Sequence, residues 1–197
     1  MKPMRFVLLF VAIAAVLTAC GDDEEPQATT TATSTEQASA TSAAPTPCSV
    51  DGASEDSKST ESSVEVAVLA DVRQTREDCP TIVFEFQDSV PGYVVEYKEP
   101  PFTDCGSGAR AQTESWGADA YLSVLLEPAR GADESGQPTY EGPIDISVGG
   151  AVLKHMKRTC DFEAQIEWIV GLDESHDFTV RALSEPPRIV IDISESA

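Results

Sequence analysis

Thr81-Ile82-Val83-Phe84-Glu85-Phe86-Gln87 is the stretch that decides the fold class. Ile82, Phe84 and Phe86 share one side of an extended segment, and Glu85 and Gln87 share the other. A period of two is the signature of a half-buried strand. The same alternation recurs in Ile189, Ile191 and Ile193, with Asp192 opposite, and in Ile166, Trp168 and Val170, with Glu167 opposite. Working outward, short apolar runs predict strands over 64–73, 81–87, 93–97, 120–128, 151–159, 165–172, 178–183 and 188–194. Turn residues separate them: Pro91-Gly92, Gly106-Ser107-Gly108, Gly131, Gly136, Gly149-Gly150 and Pro186-Pro187. No segment holds a helical period over three turns. About eight short strands in one domain-sized segment predict an all-β fold, a single β-sandwich or partly open barrel. Within it Trp168, Tyr93 and Tyr97 are expected in the core.

The amino-terminal third reads differently. Lys2 and Arg5 precede an apolar run, Phe6–Leu17, that is shorter than the roughly 20 residues of a membrane span. Leu17-Thr18-Ala19-Cys20 closes it in the pattern of a bacterial lipobox, so residues 1–19 are expected to be a lipoprotein signal peptide. Cys20 is then the lipidation site. The two acyl chains of its diacylglycerol give stable anchoring, where one would be marginal. The expected address is the outer face of the cell membrane. Residues 20–60 are dominated by Thr, Ser, Ala, acids and Pro, as in Thr29-Thr30-Thr31-Ala32-Thr33. Such a segment buries too little to offset its chain entropy and is expected to be a disordered tether, with a reach of about 35 Å. Its Thr/Ser/Pro content permits O-glycosylation. Residues 61–197 are the expected domain.

The net charge is −21. Residues 61–197 hold 26 acids against 10 bases, and no basic run is longer than Lys157-Arg158. Nucleic-acid binding, which rests on phosphate neutralisation, is excluded as a partner class, and so is a polybasic hold on anionic lipid. Of five cysteines, Cys20 goes to lipid. Cys48, Cys79, Cys105 and Cys160 remain as disulfide candidates. Three pairings are open. Cys48 lies in the tether, so its pairing would staple the tether's end to the domain. There is no CxxC, which removes the common redox and zinc motifs.

Read in order, 81–86 (TIVFEF), 90–97 (VPGYVVEY), 117–130 (GADAYLSVLLEPAR), 136–143 (GQPTYEGP), 161–173 (DFEAQIEWIVGLD) and 178–193 resemble the AMIN-like domain of bacterial lipoproteins. The resemblance spans essentially the whole of the folded part. It implies a compact β-sandwich behind a lipobox and low-complexity tether. The related AMIN module of cell-wall amidases and secretion pores binds or localises to peptidoglycan. The family often has glycine where this chain has Ala164, and often a basic residue near Pro80.

Catalysis has little to stand on. No GxSxG, SxxK, HExxH, GxGxxG or Walker pattern occurs. His155 lies in a strand-like run, and His176 is expected to be a solvated residue of the turn Asp173–Asp177. Paired carboxylates are abundant by chance alone among so many acids. The loop Gly131–Gly136 offers oxygen atoms but lacks EF-hand spacing. A non-catalytic protein without metal or cofactor is the expectation. Exposed aromatics and arginine are the usual anchors of binding surfaces, and Trp116, Tyr140 and Arg130 are the loop candidates. The expected function is binding of cell-wall glycan or peptidoglycan. Docking of another envelope protein is the alternative, and an envelope glycan hydrolase comes last.

Overall fold

The computed structural model describes residues 48–63, 65–75 and 79–195. The signal peptide, Cys20 and most of the tether lie outside the described residues. Among the described residues, eleven strands run in chain order: β1 Lys58–Thr60, β2 Ala67–Thr75, β3 Thr81–Phe86, β4 Gly92–Tyr97, β5 Ala120–Glu127, β6 Ala129–Arg130, β7 Asp145–Ser147, β8 Leu153–Phe162, β9 Gln165–Leu172, β10 Phe178–Ser184 and β11 Pro187–Ile193. They form a six-stranded sheet, β1-β4-β5-β9-β8-β7, and a five-stranded sheet, β10-β11-β3-β2-β6. All pairs are antiparallel except β2 with β6. Two open sheets face each other, so the fold is a sandwich and not a barrel.

The alternation sets which side faces in. Ile82, Phe84 and Phe86 of β3 and Ile189, Ile191 and Ile193 of β11 meet Leu122, Val124 and Leu126 of β5 and Ile166, Trp168 and Val170 of β9. All are buried. Phe84 and Tyr140 each set their rings edge-on to Trp168, at centroid distances of 6.1 Å. Each such side chain contributes about 1.5–3 kcal/mol through removal of apolar area from water. Tyr93 and Tyr97 pack against this core from its margin.

On the outer side of the five-stranded sheet, side chains form a row across the strands. Arg181, Val190, Val83 and Arg73 stand in register across four strands. The two valines are buried on the outward side, flanked by arginine stems. Their guanidinium groups pair with Asp192 on one side and with Asp71 and Glu85 on the other.

Eight strands match the sequence reading. β1, β6 and β7 are additional, each two or three residues long with no alternation to reveal it. The domain boundary expected at Glu61 is corrected. Residues 48–60 belong to the β unit, because β1 pairs with β4 and Ser54 bridges Phe178. Cys48 is bonded to Cys79, and Cys105 to Cys160. Of the three open pairings, these are the ones formed. Glu195 N–H also donates to Cys48 O at 2.9 Å, so the start and the end of the described chain are held together.

Candidate functional site

The outer side of the six-stranded sheet is built up by the excursion between β4 and β5. It turns on Asp104, whose carboxylate accepts from Ser107 Oγ and Ser107 N–H, both at 2.7 Å. Those hydrogen bonds hold the Asp104 carboxyl below its usual range. Ala111 N–H donates to Phe102 O and Cys105 N–H to Thr159 O, and the Cys105–Cys160 disulfide fixes the excursion to β8. Phe102, Ala111 and Trp116 close over Ile169 as a second apolar cluster, separate from the main core.

Trp116 is 8% exposed and Tyr140 is 6% exposed. A loop aromatic can anchor a ligand or plug an end of a sandwich, and the burial of both rings is the second arrangement. Trp116 stacks on His155 at 4.3 Å between ring centroids, with 12° between the planes. It also lies over Gly171, where a Cβ would come within 3.0 Å of its ring. Tyr140 does the same in the main core: its ring covers Gly142, and its hydroxyl donates to Pro143 O at 2.8 Å. The glycines of GLD and of GQPTYEGP are thus space for an aromatic ring. The two aromatics sit in different clusters and form no common face. Arg130 is half-buried in β6, and its Nε has no hydrogen-bond partner among the described residues.

Each histidine is held by a carboxylate. His155 Nε2 lies 2.6 Å from Asp145 Oδ1. Burial pushes the Asp145 carboxyl up, but its bonds to Lys157 and His155 outweigh this and hold it low. His176, expected in solvent, is 2% exposed, because the turn folds against Tyr97. Its N–H donates to Tyr97 Oη, and Tyr97 O–H donates to its carbonyl, both at 2.8 Å. Asp173, Glu174 and His176 bring three ligand-capable atoms within 4.8 Å of one another, and His176 Nε2 is already 2.9 Å from Asp173 Oδ1. Among the described residues neither imidazole bonds to a hydroxyl or thiol, so neither has the nucleophile–base geometry of acyl transfer. Asp133 of the Gly131–Gly136 loop spends one oxygen on Ser135 N–H, Ser135 Oγ and Gln137 N–H, closing its own turn.

Among several shallow concavities of the surface, one lies at an end of the excursion and carries exposed apolar side chains. Among the described residues, Ile144 (47%) and Phe162 (60%) are the large apolar side chains left exposed. They line a groove of about 220 Å³ with Asp104, Gly106, Arg158 and Asp161, beside the Cys105–Cys160 bond. Arg158 Nη1 pairs with Asp161 Oδ2 at 2.8 Å. A bulge between Arg158 and Cys160 puts Phe162 outside. Below it Arg158 faces Trp168. Above it Cys160 faces Glu167 and Phe162 faces Gln165, on the outer side. Glu167 is fixed there by Ser123 Oγ at 3.0 Å and Thr159 Oγ1 at 2.9 Å. This groove is not legible from loop aromatics because its residues come from three separate segments. The one local signal was a phenylalanine between two acids, Asp161 and Glu163, at a hairpin tip.

The domain is thus a two-sheet sandwich with a shallow groove of mixed apolar and charged lining, and both its histidines lie against carboxylates. The chain belongs to the AMIN-like domain family, whose profile matches residues 67–195, more than half of the sequence. Membership carries a bacterial envelope setting and a binding character at the level of the family. No curated protein and no solved structure matches the chain.

Proposed function

We propose that this protein is a lipoprotein anchored through Cys20 on the outer face of the membrane, whose β domain binds cell-wall glycan or peptidoglycan without catalysis. The observation that carries the reading is the groove at Phe162. An exposed ring can stack against the C–H face of a sugar, and Asp104, Asp161 and Arg158 stand beside it to meet hydroxyl or amide groups. Family membership and the lipobox sequence support the setting. Ile144 favours a second reading, since an aliphatic side chain adjoining the ring suits a protein surface better than a sugar.

The test is co-sedimentation of the full chain with isolated sacculi at low and moderate salt. Saturable pelleting that survives moderate salt and weakens at least tenfold in Phe162→Asp is expected. Wild-type protein that stays in the supernatant overturns the glycan reading. A specific cross-link through the Phe162 groove in intact cells would then establish the protein reading. Cys20→Ser is expected to move the chain from the membrane fraction to the medium; unchanged membrane association would remove the anchor.

A further inference from the structure

The sheet edges of this sandwich are not equally guarded. β1, β6 and β7 are two or three residues long, which leaves little backbone to template another strand. β10 is an edge of seven residues, and it pairs with β11 in unbroken register from Phe178↔Ile193 to Ser184↔Pro187. It has no bulge, no internal proline and no lysine. Its one cation, Arg181, is engaged by Asp192.

Backbone polarity shows which groups are left over. Ser194 N–H donates to Asp177 O, so Asp177, Thr179, Arg181 and Leu183 direct their hydrogen-bonding groups to β11. Phe178 therefore points outward, and it exchanges both its N–H and its C=O with Ser54, at 3.2 Å each. By the same alternation Val180, Ala182 and Ser184 present one N–H and one C=O each to the outside. No backbone bond among the described residues reaches them. Ala182 and Ser184 are exposed and Val180 is half-buried. Among the described residues, Ser54 is thus a single antiparallel rung on an edge that continues without a partner.

The charge around that edge specifies the occupant. Glu55 and Asp56 follow the Ser54 rung, Asp177 opens the strand and Glu185 closes it, on a chain of net charge −21; Lys58, the cation beside that rung, is engaged by Ser54 Oγ at 2.6 Å and the Phe178 ring. A second copy would bring the same acids to the same edge. We propose that β10 accepts an extended, lysine-rich segment of a partner protein as an added antiparallel strand, continuing the rung begun by Ser54. Main-chain bonds at Val180, Ala182 and Ser184 would hold it, and the flanking carboxylates would select its charge. This surface is separate from the Phe162 groove and does not depend on what that groove binds.

The probe is a seven-residue peptide alternating lysine with threonine and valine, added to the isotope-labelled full chain in mild detergent. A peptide with glutamate for lysine is the control. Slowed amide exchange at Val180, Ala182 and Ser184 is expected with the lysine peptide alone. Ala182→Pro removes an outward N–H without touching the β11 ladder, and at least tenfold weaker binding is expected. Ala182→Lys, which keeps the backbone and adds a like charge, is expected to weaken binding in the same direction. Equal binding of the glutamate peptide, protection elsewhere, or full binding by both variants overturns the proposal. So does a concentration-dependent dimer that Ala182→Pro abolishes, which would make a second copy the occupant.

Discussion

The outer sides of the two sheets solve the same problem in different ways. The five-stranded sheet hides Val83 and Val190 in a cross-strand row between Arg73 and Arg181. The six-stranded sheet carries a whole excursion, fastened by Cys105–Cys160 and packed through Phe102, Ala111 and Trp116. The first arrangement is the least a strand surface requires in water. The second adds chain, a disulfide and a second apolar cluster, and its end forms the groove at Phe162. Added structure of this kind on a self-sufficient scaffold is where binding surfaces tend to lie.

Tryptophan truncation probes the comparison most strongly. Trp168→Ala empties the shared core and is expected to cost about 3–5 kcal/mol, read as loss of the denaturant midpoint. Trp116→Ala is expected to cost about 2 kcal/mol, since it opens only the outer cluster. Equal losses would mean that the excursion is part of the main core. Next is alkaline stability. Burial pushes the Tyr97 hydroxyl up to about 12; the bond from His176 N–H opposes this, and the nearby charges of Glu55 and Asp177 add to it. The phenol titrates lower in the unfolded chain, so its contribution is complete below pH 10 and is lost as pH rises toward 12. Tyr97→Phe is expected to abolish that dependence while costing about 1–2 kcal/mol at neutral pH, because His176 N–H loses its acceptor.

The β8–β9 hairpin gives a smaller effect. Glu163 and Ala164 have φ of 52° and 62°, the left-handed region in which a side chain is strained. Ala164→Gly is expected to stabilise the protein by about 1 kcal/mol, seen as a higher melting temperature. The smallest effect belongs to the minimal outer side. Arg73→Ala breaks pairs whose side chains are 30–49% exposed; a loss under about 1 kcal/mol is expected. A larger loss would show that the arginine stems do more than shield the valines.

Much of the sandwich was legible in the sequence. Ile82-Phe84-Phe86 and Ile189-Ile191-Ile193 are long enough for alternation to assign both strand and face, and Trp168 follows from its neighbours. Lys58–Thr60 was not legible, because a polar edge strand has no apolar side, and its residues resemble the tether before them. The site was harder for a different reason. Aromatic identity in a loop does not report exposure: Trp116 and Tyr140 are buried because Gly171 and Gly142 leave room for their rings. Strict alternation from Met156 would turn Phe162 inward, and only the bulge at Arg158/Cys160 reverses it. A bulge depends on pairing with β9 and leaves no local mark.

The most direct test of the excursion as a separate, ligand-bearing layer is sacculus co-sedimentation of the full chain carrying Cys105→Ser and Cys160→Ser, alongside its near-ultraviolet circular dichroism. The aromatic signal of Trp168 and its neighbours is expected to persist while wall retention falls at least tenfold. Undiminished retention with the disulfide gone would contradict it.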